Sequence, residues 1–145
     1  MEVSKTINNS EPDQDLLKNK NLLIVEDDDI GFSLLQEIFG DYGLNIQRAR
    51  DGAEAIEYFR KNNSAFDLVL MDLRLPNING FKATSVIKEI NPLVPVFAVT
   101  AYVHSQSISD SYRCGCDEFI AKPFDIKHLI LTVQEYLSVS VQLDQ

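Results

Sequence analysis

Four acids in a row, Glu26-Asp27-Asp28-Asp29, follow the apolar run Leu22-Leu23-Ile24-Val25. Another acid, Asp72, follows a second apolar run, Leu68-Val69-Leu70-Met71. Thr100 closes a third, Val96-Phe97-Ala98-Val99, and Lys122 follows a fourth, Phe119-Ile120-Ala121. If these runs are strands of one parallel sheet, three acids, a hydroxyl and an amine converge on one edge. Three close carboxylates cannot all stay ionised without compensation, so either one takes up a proton or a cation binds. The ligands on offer are all oxygens, which favours a hard cation, Mg²⁺ or Mn²⁺, over zinc. Mg²⁺ takes one or two carboxylates, keeps several waters and shares phosphate oxygens. A lysine and a threonine beside it suit a phosphoryl group, as a point charge and a hydroxyl donor. An aspartate carboxylate can attack phosphorus and form an acyl phosphate. Such transfer needs mainly positioning and charge neutralisation. No P-loop glycine pattern occurs, so a bound nucleotide is not implied.

The apolar pattern predicts the elements that would position these residues. Asn21 to Val25 reads as a strand buried on both faces. Ile30, Leu34, Leu35, Ile38, Phe39 and Tyr42 follow at helical spacing, and Gly43 suits the stop. Leu44 to Ala49 is a second strand. Asp51 and Glu54 then stand three apart, as a helix cap and its return partner do, with Ala55, Ile56 and Phe59 behind them. Phe66 to Met71 is a third strand, and a loop with Pro76 and Gly80 leads to a helix near 80–90. Val94 to Val99 is the fourth strand. The segment 105–114 is a weak helix former, because Ser105, Ser107, Ser109 and Ser111 compete with the helix for hydrogen bonds and Ile108 is its single strong apolar residue. Glu118 to Ala121 is a short fifth strand, and Asp125 caps a helix running to about Leu137. Five β-α units imply an α/β protein: one parallel, doubly wound sheet with right-handed crossovers and helices on both faces. Ligands bind such sheets beyond the carboxyl ends of the strands. Residues 1–20 are polar and aperiodic and read as a flexible arm or linker, 21–138 as the domain, and 139–145 as a frayed tail.

Composition bounds the function. A chain of 145 residues, 45% hydrophobic, makes one domain with a real core. Its net charge of −9 repels phosphate backbones and anionic membrane surfaces, which argues against nucleic-acid binding or membrane contact by this domain. Cys114 and Cys116 are a poor disulfide pair and half a metal site, so they are expected reduced, as in the cytoplasm.

LLIVEDD at 22–28, LVLMDLRLPNING at 68–80, VFAVTAY at 96–102 and FIAKPF at 119–124, taken in that order, resemble one family: the receiver domains of two-component response regulators. The likeness covers about residues 21 to 138. It implies a flavodoxin-like (βα)5 domain with five strands in the order 2-1-3-4-5. It implies Asp72 as phosphoacceptor. Glu26 and Asp27 would be the metal-binding pair, with Asp72 and the backbone carbonyl of Arg74 completing the protein's ligands to Mg²⁺, for which Mn²⁺ substitutes. Thr100 resembles the switch hydroxyl, Phe119 the rotating switch aromatic and Lys122 the phosphate-binding lysine. Lys122-Pro123 resembles the family's cis peptide. The implied activity is acceptance of a phosphoryl group from a histidine kinase or a histidine phosphotransfer protein. A face made by the fourth helix, fifth strand and fifth helix then changes, with room for a phosphorylation-dependent dimer. Such a domain is a signalling switch rather than an enzyme, its chemistry confined to its own phosphorylation and autodephosphorylation. The TAY and GCDEFIAKPF wording resembles receivers of hybrid histidine kinases, with residues 1–20 as an incoming linker.

Arg74, two beyond Asp72, and Tyr102, two beyond Thr100, are bulky and stand where hydrolytic water must pass, so they are expected to slow phosphoryl loss. Two other functions compete. A pseudo-receiver would keep the fold as a binding module without phosphorylation, and the complete set Glu26, Asp27, Asp72, Thr100 and Lys122 argues against it. An aspartyl phosphatase wants a second aspartate two residues after its nucleophile, where this chain has Arg74. Asp28 and Asp29 have a simpler explanation, since acids are favoured at helix starts. His104 and His128 are expected as surface histidines, His104 close to the site.

Overall fold

The computed structural model describes residues 11–143, with side chains described through residue 138. Five strands, β1 (Asn21–Val25), β2 (Asn45–Ala49), β3 (Leu68–Met71), β4 (Val96–Thr100) and β5 (Glu118–Ala121), form one sheet. All pairings are parallel and the order is β2-β1-β3-β4-β5. The helices between and after them are α1 (Asp29–Gly40), α2 (Gly52–Lys61), α3 (Gly80–Ile90), α4 (Ser105–Arg113) and α5 (Ile126–Leu143).

Strand alternation divides the core into two layers. Leu22, Ile24, Leu68, Leu70, Phe97 and Val99 point to one face and pack with Leu35, Ile38 and Phe39 of α1 and Leu129, Ile130 and Val133 of α5. Leu23, Val25, Val69, Met71, Val96 and Ala98 point to the other and meet Ile56 and Phe59 of α2 and Ala83 and Ile87 of α3. A period of two in a strand covered on both faces yields this split without any polar position.

Caps set the helix starts. Asp28 accepts from Gly31 N at 2.8 Å, Asp51 from Glu54 N at 2.8 Å and Asn79 from Lys82 N at 3.0 Å. Glu54 returns its carboxylate to Arg50 N at 2.6 Å, one residue before the expected partner Asp51. The serine-rich α4 forms with two of its four serines, Ser107 and Ser111, turned inward, while Ser105 and Ser109 stay exposed. Buried Ser107 accepts from His104 N at 3.0 Å and donates to Tyr102 O at 2.9 Å, and buried Ser111 donates to Ile108 O at 2.7 Å. The hydroxyls that weaken a solvent-exposed helix here satisfy its own backbone.

The chain ends differ from the sequence reading. Residues 1–10 of the expected arm lie outside the described residues. Residues 11–20 are docked: a single helical turn, Gln14–Leu17, buries Leu17 completely in the α1–α5 layer. Asp13 N donates to Gln134 Oε1 at 2.6 Å, and Lys127 pairs with Glu11 at 3.1 Å. One apolar anchor is too short to produce a period, so nothing in the local pattern marks it. At the other end α5 continues to Leu143, across most of the expected tail; residues 144–145 lie outside the described residues.

Candidate functional site

The carboxyl ends of β1, β3, β4 and β5 deliver Glu26, Asp72, Thr100 and Lys122 to one edge. β1 and β3 are neighbours, with Val25 beside Met71, so Glu26 and Asp72 leave the sheet side by side. Carboxylate oxygens of Glu26, Asp27 and Asp72 all lie within 4.8 Å of one another, the one such acidic grouping among the described residues. Glu26 is 2% exposed, Asp72 half-buried and Asp27 exposed, so the cluster opens to solvent on the Asp27 side.

Lys122 comes in from the far edge. Its Nζ donates to Glu26 Oε1 at 2.7 Å and stands 3.8 Å from Asp72 Oδ2. Asp28 N donates to Glu26 Oε2 at 3.2 Å, and Arg74 N to Asp72 Oδ1 at 3.0 Å. Burial pushes the Glu26 carboxyl above its ordinary range, opposed by the hydrogen bond from Lys122 and reinforced by the charge of Asp72. The Lys122–Pro123 peptide is cis.

A cleft of about 330 Å³ opens beside Asp72, lined by Asp72, Arg74, Thr100, Tyr102, His104 and Lys122, among others. Thr100 Oγ1 accepts from Tyr102 N at 3.1 Å. Its wall is a stack: the Arg74 guanidinium lies 4.1 Å from the Tyr102 ring centroid, and the His104 ring meets Tyr102 edge-on at 4.4 Å. Phe119 sits half-buried on β5, opposite Ala98, against the α2–α3 layer. His128 is exposed, and His104 is the N-cap residue of α4. Cys114 and Cys116 are free thiols.

Two residues bear on this edge in ways that pattern reading did not show: Gly80, read only as part of the loop before a helix, and Arg48, read only as part of a strand. Gly80, the first residue of α3, lies so close to the end of β3 that a Cβ there would sit 2.2 Å from the Asp72 carbonyl. Arg48 of β2 donates through Nε to the Glu26 carbonyl at 3.1 Å and through Nη1 to Asp29 at 2.9 Å. Asp29, read as a helix-start acid, pairs with Arg48 and with Arg50 at 3.1 Å, which hold its carboxyl below the usual range.

A doubly wound parallel sheet in the order β2-β1-β3-β4-β5, with an acidic cluster and a lysine at its carboxyl edge, defines a flavodoxin-like domain. The chain belongs to the response regulator receiver domain family, whose model matches residues 22–134. It is 32% identical over 120 residues to the polar-differentiation response regulator DivK of Brucella anthropi, covering 81% of this chain and 96% of DivK. It is 31% identical to the transcriptional regulatory protein ZraR of Escherichia coli K12 and 29% to the transcription factor SKN7 of Chaetomium thermophilum, covering 87% and 83% of this chain. Of those two longer proteins the chain spans 28% and 16%. The receiver domain of the sensor histidine kinase PA1611 from Pseudomonas aeruginosa, with a magnesium ion in its active-site cleft, superposes with a TM-score of 0.76 at 26% identity, over 83% of this chain and 98% of that one. A response regulator receiver domain protein of Methanospirillum hungatei gives 0.77 at 25%, over 86% and 98%. The protein is therefore a receiver domain of two-component signalling. No described helix is long and apolar enough to cross a membrane.

Proposed function

We propose that Asp72 accepts a phosphoryl group from the phosphohistidine of a histidine kinase or histidine phosphotransfer protein. The observation that carries this reading is the meeting of three carboxylates within 4.8 Å of one another beside the Lys122 ammonium. The donor set fits Mg²⁺: all-oxygen ligands, a charge excess that a cation relieves, and an exposed side for retained water. Glu26, Asp27, Asp72 and the Arg74 carbonyl would hold it, and the bound ion would neutralise charge developing on the phosphoryl oxygens. An Asp72 oxygen attacks phosphorus, the bond to the donor imidazole nitrogen breaks, and the electron pair leaves with the imidazole. Lys122 is placed to exchange its contact with Glu26 for a phosphoryl oxygen. Thr100, whose hydroxyl proton is not committed to the Tyr102 amide, donates to another. The Thr100 loop then closes, Phe119 turns inward, and the α4–β5–α5 face shifts in population toward its second packing. Free thiols at Cys114 and Cys116 fit a reducing compartment, the cytoplasm.

Incubation with Mg²⁺ and acetyl phosphate is expected to load one phosphoryl group per chain, seen by intact mass, and none in Asp72→Asn. No loading of the wild type would instead mark a pseudo-receiver, and continuous phosphate release a phosphatase.

Arg74 and Tyr102 stack on each other and line the same cleft as Asp72, where a hydrolytic water would have to enter. In Arg74→Ala/Tyr102→Ala, loss of the phosphoryl group, timed after donor removal, is expected to speed up by about tenfold, a barrier change of roughly 1.4 kcal/mol. Unchanged decay would refute the role of the stack.

A further inference from the structure

Arg48 belongs to the edge strand, yet it reaches the acidic loop. In the β1–β2 register Val25 lies beside Ala49, and Glu26 N donates to Ala49 O at 3.0 Å, so the chain enters the Glu26–Asp29 turn alongside β2. Arg48 Nε then takes the Glu26 carbonyl at 3.1 Å and Nη1 takes the Asp29 carboxylate at 2.9 Å. Its guanidinium lies over the Phe32 ring at 4.6 Å, and the side chain is 14% exposed although its partner Asp29 is 75% exposed. One planar group thus ties both ends of a turn whose middle carries Asp27. The Glu26 carbonyl belongs to the Glu26–Asp27 peptide, and the tilt of that peptide sets the direction in which the Asp27 side chain leaves. Lysine, with a single ammonium on a flexible stem, does not reproduce a fork that bonds two acceptors at fixed angles.

We propose that Arg48 is a positioning residue for the divalent-cation site, holding the Glu26–Asp29 turn in the shape that presents Glu26 and Asp27 to the ion. This rests on the reading of Glu26, Asp27 and Asp72 as that site. Arg48 is not among the residues that would hold the ion; it bonds the Glu26 carbonyl and the Asp29 carboxylate. It acts as outer-shell partners of metal ligands do, and loss of such a partner weakens binding by about 10- to 100-fold. The sign is diagnostic. By charge alone, removing a cation from this neighbourhood tightens Mg²⁺ binding; loss of a positioning bond weakens it. Arg50 is the internal control: its guanidinium also pairs with Asp29, at 3.1 Å, but is 63% exposed and bonds nothing else among the described residues.

The test compares the wild type with Arg48→Met, which keeps a stem over Phe32, Arg48→Lys and Arg50→Gln. Mg²⁺ affinity is measured by calorimetry at a temperature where circular dichroism shows each variant folded. Arg48→Met is expected to raise the Kd by about tenfold and Arg48→Lys by about threefold, with Arg50→Gln within twofold of wild type or tighter. In metal-free protein, hydrogen exchange of the Asp28 and Gly31 amides, which bond to Glu26 and Asp28 side chains, is expected to quicken in Arg48→Met and not in Arg50→Gln. Unchanged or tighter Mg²⁺ binding in Arg48→Met, or equal weakening in Arg50→Gln, overturns the proposal. Should Arg48→Met fail to fold, Arg48→Lys at wild-type affinity overturns it equally. A wild type that binds no Mg²⁺ defeats the functional reading instead, and the metal-free exchange rates still decide whether Arg48 orders the turn.

Discussion

Replacing Gly80 with alanine is expected to destabilise the domain by about 3 kcal/mol and to lower its melting temperature by roughly 10 °C. The new methyl would stand 2.2 Å from the Asp72 carbonyl oxygen and 2.7 Å from Leu73 Cα. Both are backbone atoms at the end of a buried strand, so neither can rotate away. The start of α3 must lift, and with it the hydrogen bond from Gly80 N to Leu73 O at 3.0 Å. That contact runs through the peptide of the proposed phosphoacceptor, so binding of Mg²⁺ at the proposed site is expected to fall together with stability. Gly40→Ala supplies the contrast. No atom lies within 4 Å of its Cβ position, and alanine is the better helix former, so this variant gains about 0.5 kcal/mol. Thermal unfolding followed by circular dichroism measures both. A Gly80→Ala protein within 0.5 kcal/mol of the wild type would show that the close approach is not real.

Lys122→Met is expected to cost about 3 kcal/mol at pH 7 in metal-free buffer. Removing one partner of a buried ion pair costs roughly 3–5 kcal/mol, and the partial exposure of Lys122 puts it at the lower end. The variant leaves the buried Glu26 carboxylate beside Asp72 with no counter-charge. The pH dependence has a definite sign. Glu26 already titrates above its ordinary value of 4.5, chiefly through burial, and losing Lys122 raises it further. A group whose pKa is raised on folding contributes stability that is full below its unfolded pKa and is lost as pH rises through the folded one. The deficit of Lys122→Met against wild type should therefore be largest at neutral pH and shrink as pH falls toward 4.5. Glu26→Gln/Lys122→Met should recover most of the loss, since no buried charge then stands alone. Urea denaturation at several pH values reads all three proteins. A deficit independent of pH, or a double variant no better than the single, would show that Lys122 acts by packing and not by charge.

The two variants mark the two kinds of information in this chain. That Glu26, Asp72, Thr100 and Lys122 end strands was legible in the sequence, because a strand end is a local event: an apolar run stops and a polar residue follows. The five β-α units were legible for the same reason, down to caps such as Asp51 and the turn at Gly43, whose φ is +80°. Elements that depend on distant partners were not. Leu17 is one apolar residue in a polar stretch, and only the α1–α5 layer makes it core. The α4 serines look unfavourable until Ser107 and Ser111 are seen bonded to nearby carbonyls.

What the sequence determined by itself, then, is which residues reach the carboxyl edge of a doubly wound sheet, since hydrophobic period and strand length act over a few residues. What only the tertiary structure decided is how they are wired: Lys122 on Glu26 at 2.7 Å rather than on Asp72 at 3.8 Å, Gly80 against the Asp72 carbonyl, and Arg48 across the acidic turn. Those choices depend on inter-strand register, peptide tilt and side-chain reach. Hydrogen bonds and steric contacts change within tenths of an ångström, a scale that no one-dimensional spacing encodes.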